Sequence, residues 1–187
     1  MILAVNNNPM RFNDRSGGVS PRRVVLSFQD VIPANERDSQ LLDKIAGELA
    51  VIVRHLMQRF NRPDDVRKLL QAQQSSEEAL EIKRNADPLV DFCGYLTPLS
   101  TPTGLFIGNA NIRPMTPRRY LYHAYLSFME ARGHQHPMSL TAFGQAVPQT
   151  LKEYEIELLK RKTKNGIQTS LELSEDCEAE WLPRCDA

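Results

Sequence analysis

Apolar residues are spaced in three different ways along this chain, and each spacing predicts a different element. Residues 2–5 and 24–28 are short, continuous, β-branched runs, the pattern of strands buried on both faces. They enclose a polar loop rich in asparagine, glycine and charged side chains, so residues 1–28 read as strand, working loop, strand. A chain opening on a buried strand with no neighbours before it is expected to be the tail of a larger domain.

The second spacing is helical. Leu42, Ile45, Leu49, Ile52, Val53, Leu56 and Phe60 recur at three and four, predicting a helix capped by Asp38 or Ser39, running to about Phe60, with one buried face. Pro63 with Asp64 and Asp65 starts another helix. Ser75 with Glu78 predicts a capping box for a third at 76–84. Asn85-Ala86-Asp87-Pro88 opens a new element, which places a domain boundary between about residues 71 and 87. Beyond it, Leu89, Phe92, Cys93 and Leu96 form one helical stripe, 97–104 is loop, and 105–107 is a short strand. Thr116-Pro117 starts a helix whose core side is Leu121, Ala124, Tyr125, Phe128 and Met129. Ser139 caps a short one through Leu140, Phe143 and Ala146.

The third spacing is alternation. Two alternating runs flank Asn165-Gly166, the strongest hairpin signal in the chain. Helix, turn, helix and hairpin are the winged-helix order, and the fold class is mainly helical α+β.

Charge changes this picture only when the chain is divided. The formal net charge is zero over 187 residues, with 41% hydrophobic and 25% charged positions, ordinary globular values. Residues 88–171 nevertheless carry nine Lys/Arg against five Asp/Glu, while the tail after Glu172 holds five Asp/Glu and one Arg. In the winged-helix order the second helix of the pair enters the major groove and the hairpin lies along the backbone or the minor groove. Lys160, Arg161, Lys162 and Lys164 on the hairpin are therefore candidate phosphate contacts. Ser139, Thr141 and Gln145 are candidates for the recognition face, and Arg118 and Arg119 for a phosphate clamp. A small helix-plus-hairpin domain also serves protein contacts, and from pattern alone both readings stand.

Metal and nucleophile chemistry have little to build on. Cys93, Cys177 and Cys185 form no CxxC pair, which fits a reducing compartment. His55 is a lone histidine, and His134 and His136 lack a nearby Cys or carboxylate cluster, so no metal site is expected. No apolar run approaches the roughly 20 residues of a membrane span, and the expected location is the cytoplasm without a membrane partner. Neither a Ser/His/Asp nor a paired-carboxylate constellation stands out.

In the opening loop, Asn6, Asn7, Asn8, Arg15, Arg22 and Arg23 have the side-chain types that orient water or reach a phosphate, although a plain polar turn with solvated arginines fits the same spacing. The run ILAVNNNP, followed by DRSGG and RRVVLSF, resembles the sensor-1 and arginine-bearing segments of superfamily-three helicases of the AAA+ class. More closely, it is similar to the alpha-type replication proteins of satellite phages and their integrated relatives, fused primases and helicases. LLDKIAGELAVIVRHL resembles the helical lid that follows that motor. YLYHAYLSFMEARG, SLTAFGQAV and the basic hairpin resemble the family's carboxy-terminal origin-binding domain.

The resemblance implies a chain in four parts: the end of a helicase core at 1–37, lid and linker at 38–86, a winged-helix DNA-binding domain at 87–174, and an acidic tail at 175–187. Asn6 would sense the γ-phosphate, and Arg22 or Arg23 would complete a neighbouring subunit's site in a hexameric ring. The partner implied is double-stranded origin DNA. ATP and Mg²⁺ belong to the intact parent protein, because the chain contains no GxxxxGK[ST] and is expected to hydrolyse no ATP alone. The alternative function is a stand-alone interaction or regulatory protein whose winged helix binds protein.

Overall fold

The computed structural model describes Val24 and residues 31–182. The strand expected at 2–5, most of that at 24–28, and Asn6, Arg22 and Arg23 lie outside the described residues. The described chain divides between Ala79 and Leu80 into two compact units.

The first unit holds helices α1 (Leu41–Arg59) and α2 (Pro63–Gln74). Asp38 stands just ahead of α1, accepting a hydrogen bond from the Gln40 amide at 2.9 Å and pairing with Lys44. The expectation that α1 buries one apolar face is corrected. Ile52 is half-buried, but Leu42, Ile45, Leu49, Val53, Leu56 and Phe60 are exposed, from 41% at Phe60 to 80% at Leu42. Periodicity specifies a face that favours cover; it does not supply the cover.

Helix α3 (Glu77–Ala86) carries the division between the units. Its N-terminal hydroxyl is Ser76, which accepts from the Ala79 amide at 3.2 Å. Ser75 instead donates back to the Gln71 carbonyl at the end of α2, so the expected cap is displaced by one residue.

The second unit is built on one aromatic core. Helix α4 (Pro88–Cys93) starts where expected, with Asp87 accepting from the Leu89 amide and Pro88 in the first turn. A strand follows at once: β1 (Leu96–Pro98) occupies part of the segment expected to be loop. It pairs antiparallel with β4 (Leu171–Leu173), Leu96 facing Leu173 and Pro98 facing Leu171. The strand expected at 105–107 is reduced to bridges at Phe106.

Helix α5 (Leu121–Ala131) begins later than Thr116-Pro117 suggests. The Arg119 carbonyl accepts from the Phe106 amide at 2.9 Å, and the Leu121 amide donates to the Phe106 carbonyl at 2.7 Å. With that backbone committed to a bridge, the helix starts only afterwards. Helix α6 (Leu140–Thr150) follows, then a 3-10 turn over Leu151–Tyr154. The hairpin of β2 (Lys160–Thr163) and β3 (Gly166–Thr169) leads into β4.

Phe92 lies at the centre of the core, ringed by Tyr125, Phe128, Phe143 and Trp181 at centroid distances of 5.5 to 6.2 Å. Trp181 and Leu182, from the expected acidic tail, are buried here, carried in by helix α7 (Asp176–Glu180). Large aromatic burial of this kind dominates the stability of a small domain.

Candidate nucleic-acid interface

Helix α6 has one inward and one outward side. Phe143, Ala146 and Val147 are buried, whereas Thr141, Gln145 and Gln149 are exposed. The 3.6-residue period puts Thr141 and Gln145 on one face, as the sequence pattern requires. Ser139 is the N-cap, its hydroxyl accepting from the Ala142 amide at 3.3 Å. That role holds the hydroxyl at the start of the helix and leaves Thr141 and Gln145 as the side chains projecting from it.

The hairpin turns one residue earlier than Asn165-Gly166 suggests. Thr163 faces Gly166 across the strands, so Lys164 and Asn165 form the turn. Within the hairpin it is Gly166 that takes a positive φ, 120°, which suits a residue without Cβ. Thr163 Oγ1 closes the end, donating to the Gly166 carbonyl at 2.8 Å and accepting from the Asn165 amide. Lys160, Arg161, Lys162 and Lys164 are all exposed. Because successive strand residues point to opposite faces, Lys160 and Lys162 share one face of β2 and Arg161 lies on the other.

Arg161 belongs to a longer row. It faces Gln168 across the hairpin; Gln168 in turn bridges Phe106, and Phe106 bridges Tyr120. Gln168 accepts from Arg161 at 3.2 Å and donates to the Gly104 carbonyl at 3.1 Å. Arg119 lies over the rings of Tyr120 and Phe106, 5.4 and 5.9 Å from their centroids. Cation–π contact orders a guanidinium without neutralising it, and among the described residues Arg119 has no carboxylate partner. The row therefore links Arg161, through Gln168 and Phe106, to the rings on which Arg119 lies, 42 positions away in sequence.

Arg118 is placed differently from its neighbour. Its guanidinium donates to Glu178 on α7. Helix α7 is held further by Glu180, which accepts from Tyr95 and from Arg132, each at 2.6 Å. The Tyr95 hydroxyl, with Arg132 beside it, holds the Glu180 carboxyl below the usual glutamate range, while burial pushes the Tyr95 phenol up. Burial also raises the Cys93 and Cys177 thiols, so neither has the thiolate character of a reactive cysteine. Among the described residues no group of His, Cys, Asp and Glu could hold a metal ion, and no helix is long and apolar enough to cross a membrane.

Residues 84–183, more than half of the chain, match the family described as Poxvirus D5 protein-like. The chain belongs to that family. The matched stretch contains α4 to α7 and both small sheets, so the D5-like portion is the aromatic-core unit. A crystal structure described as the phage P4 origin-binding domain is 50% identical in sequence, with a TM-score of 0.52; the match covers 53% of this chain and 99% of that one.

Sequence reasoning missed two residues of the D5-like unit. His123 is fully buried; its Nδ1 accepts from the Thr116 amide at 3.0 Å and its Nε2 meets the Asn109 carbonyl at 2.8 Å. An N–H aimed at Nδ1 places the imidazole proton on Nε2, so the ring pins the loop that ends at Arg118 and Arg119. Gln168, the hub of the Arg161 row, is in the sequence only one polar position of the hairpin. Neither has a signal in spacing: a histidine inside YLYHAYL and a glutamine on a hairpin acquire their roles from distant partners.

Proposed function

We propose that the D5-like unit binds double-stranded DNA at a replication origin, with α6 in the major groove and the β2–β3 hairpin along the backbone. The observation that carries this reading is the 50% identity to the phage P4 origin-binding domain across nearly all of that chain. The geometry supports it: Thr141 and Gln145 project from α6, and Lys160, Arg161, Lys162, Lys164 and Arg119 are exposed cations. Phosphate contacts position such a domain, and side chains in the groove read sequence.

We further propose that the chain is the carboxy-terminal portion of a phage-type primase-helicase. In the assembled ring, Asn6 would sense the γ-phosphate and Arg22 or Arg23 would reach a neighbour's nucleotide. ATP and Mg²⁺ would be held by the parent motor, and this chain alone turns over no ATP. The exposed apolar stripe of α1 favours a protein partner for the first unit, and a second copy of the chain is the reading consistent with a ring. Sedimentation of the full chain against Leu49→Glu tests that: a monomer at every concentration refutes self-association through α1.

The DNA reading is tested by titrating the full chain against duplex DNA at several salt concentrations. Five phosphate-binding cations give a slope of log K on log salt of about −4.5. Binding insensitive to salt, or none at low salt, refutes it.

A further inference from the structure

Gly144 stands in the middle of α6, where glycine weakens a helix relative to alanine. A fold has two internal reasons to keep a glycine, a left-handed backbone or a close approach, and Gly144 has neither. Its backbone is helical, and among the described residues a Cβ there would meet nothing within 4 Å beyond its chain neighbours and the helix backbone. Gly104 is the contrast: there a Cβ would lie 2.0 Å from the Leu171 carbonyl oxygen.

The position of Gly144 supplies a third reason. Thr141, Gly144, Gln145 and Pro148 follow the i, i+3, i+4, i+7 spacing and share one side of α6. Pro148 has no N–H, so the α-helical hydrogen bond to the Gly144 carbonyl is not made. One edge of the helix thus lacks both a side chain and a backbone donor, leaving an acceptor beside the gap. A helix with its side chains is about 10–12 Å across and the major groove about 12 Å wide, so one missing side chain decides how deeply the helix seats.

We propose that Gly144 is the point of closest approach of α6 to the base edges, its carbonyl accepting from the exocyclic amino group of an adenine or cytosine. This inference rests on the DNA-binding reading above and adds the residue that sets depth and base preference. Side-chain functional groups do not reveal it, because its contribution is clearance.

The test uses the full chain and a duplex selected by it from a random-sequence pool. Gly144→Ala is expected to melt no lower than the parent, to lose about tenfold affinity for the selected duplex, and to bind random duplex unchanged. Pro148→Ala, which restores the donor to the Gly144 carbonyl, is expected to lose affinity for the selected duplex while keeping the clearance. Gly47→Ala, at another helical glycine with open space around it, on α1, should leave binding unchanged. If the parent chain selects no duplex, the DNA-binding reading itself fails. If it does select one, the inference is overturned by Gly144→Ala binding that duplex as tightly as the parent, losing both duplexes equally, or melting lower. An unchanged Pro148→Ala overturns the carbonyl contact.

Discussion

Arg118 and Glu178 are sixty residues apart in sequence and joined side chain to side chain, so a cation at the candidate interface is already occupied by the acidic helix α7. Arg119, the next residue, lies on aromatic faces instead. Two adjacent arginines thus differ in what they have left for a phosphate.

Glu178→Gln should release Arg118 and raise affinity for any duplex by about two- to fivefold at low salt, an effect that salt diminishes. The pair is 41% and 57% exposed, so its removal should change unfolding free energy by less than about 1 kcal/mol. Arg119→Ala should weaken binding more than Arg118→Ala. Fluorescence anisotropy on the three variants checks the order; equal losses for the two arginines would contradict it.

Reversing charge at Lys160, Lys162 and Lys164 should reduce the salt slope by about 2 to 3 and weaken binding to all sequences alike. Thr141→Ala and Gln145→Ala should instead change the preference at single base pairs by about 1–3 kcal/mol. Competition between selected and random duplexes separates the two behaviours.

Gly104→Ala should destabilise the chain by about 3 kcal/mol or more. The added Cβ would press on the oxygen, carbon and nitrogen of Leu171 at 2.0, 2.7 and 3.0 Å, and Leu171 is held in its strand pairing with β1. A urea midpoint equal to that of the parent chain would show that the sheet can yield there.

Trp181 is the chain's single tryptophan and reports on α7. Because the Tyr95 hydroxyl and Arg132 lower the Glu180 pKa, the stabilisation from that carboxylate is complete above the ordinary glutamate range and disappears as pH falls through the lowered value. Trp181 emission should therefore shift to the red on acidification, and Glu180→Gln should remove that component of the curve. Superimposable acid titrations for the two proteins would exclude Glu180 as the group responsible.

The elements whose signals are local were legible in the chain. Asp87-Pro88 opened α4 and Ser139 opened α6, because a cap needs only the residues beside it. The core positions of α5 and α6 followed from period alone, and the basic hairpin from alternation around a turn. What depended on a distant partner was not legible. Strand β1 exists because β4, some seventy residues on, pairs with it. Helix α5 starts at Leu121 because Phe106 has claimed the backbone before it. The acidic tail enters the core because Trp181 finds Phe92, Tyr95 and Phe128.

The candidate site divides along the same line. Residue types and helix faces, and hence Thr141, Gln145 and the basic hairpin, were determined by the sequence itself through charge and periodicity. Only tertiary structure decided that Arg119 is ordered over two rings, that Arg118 is paired, that Arg161 is linked to the Phe106 ring under Arg119 through Gln168, and that among the described residues a Cβ at Gly144 would have open space around it. The reason is physical: spacing fixes which face a side chain is on, whereas pairing, bridging and empty space are properties of segments brought together by the fold.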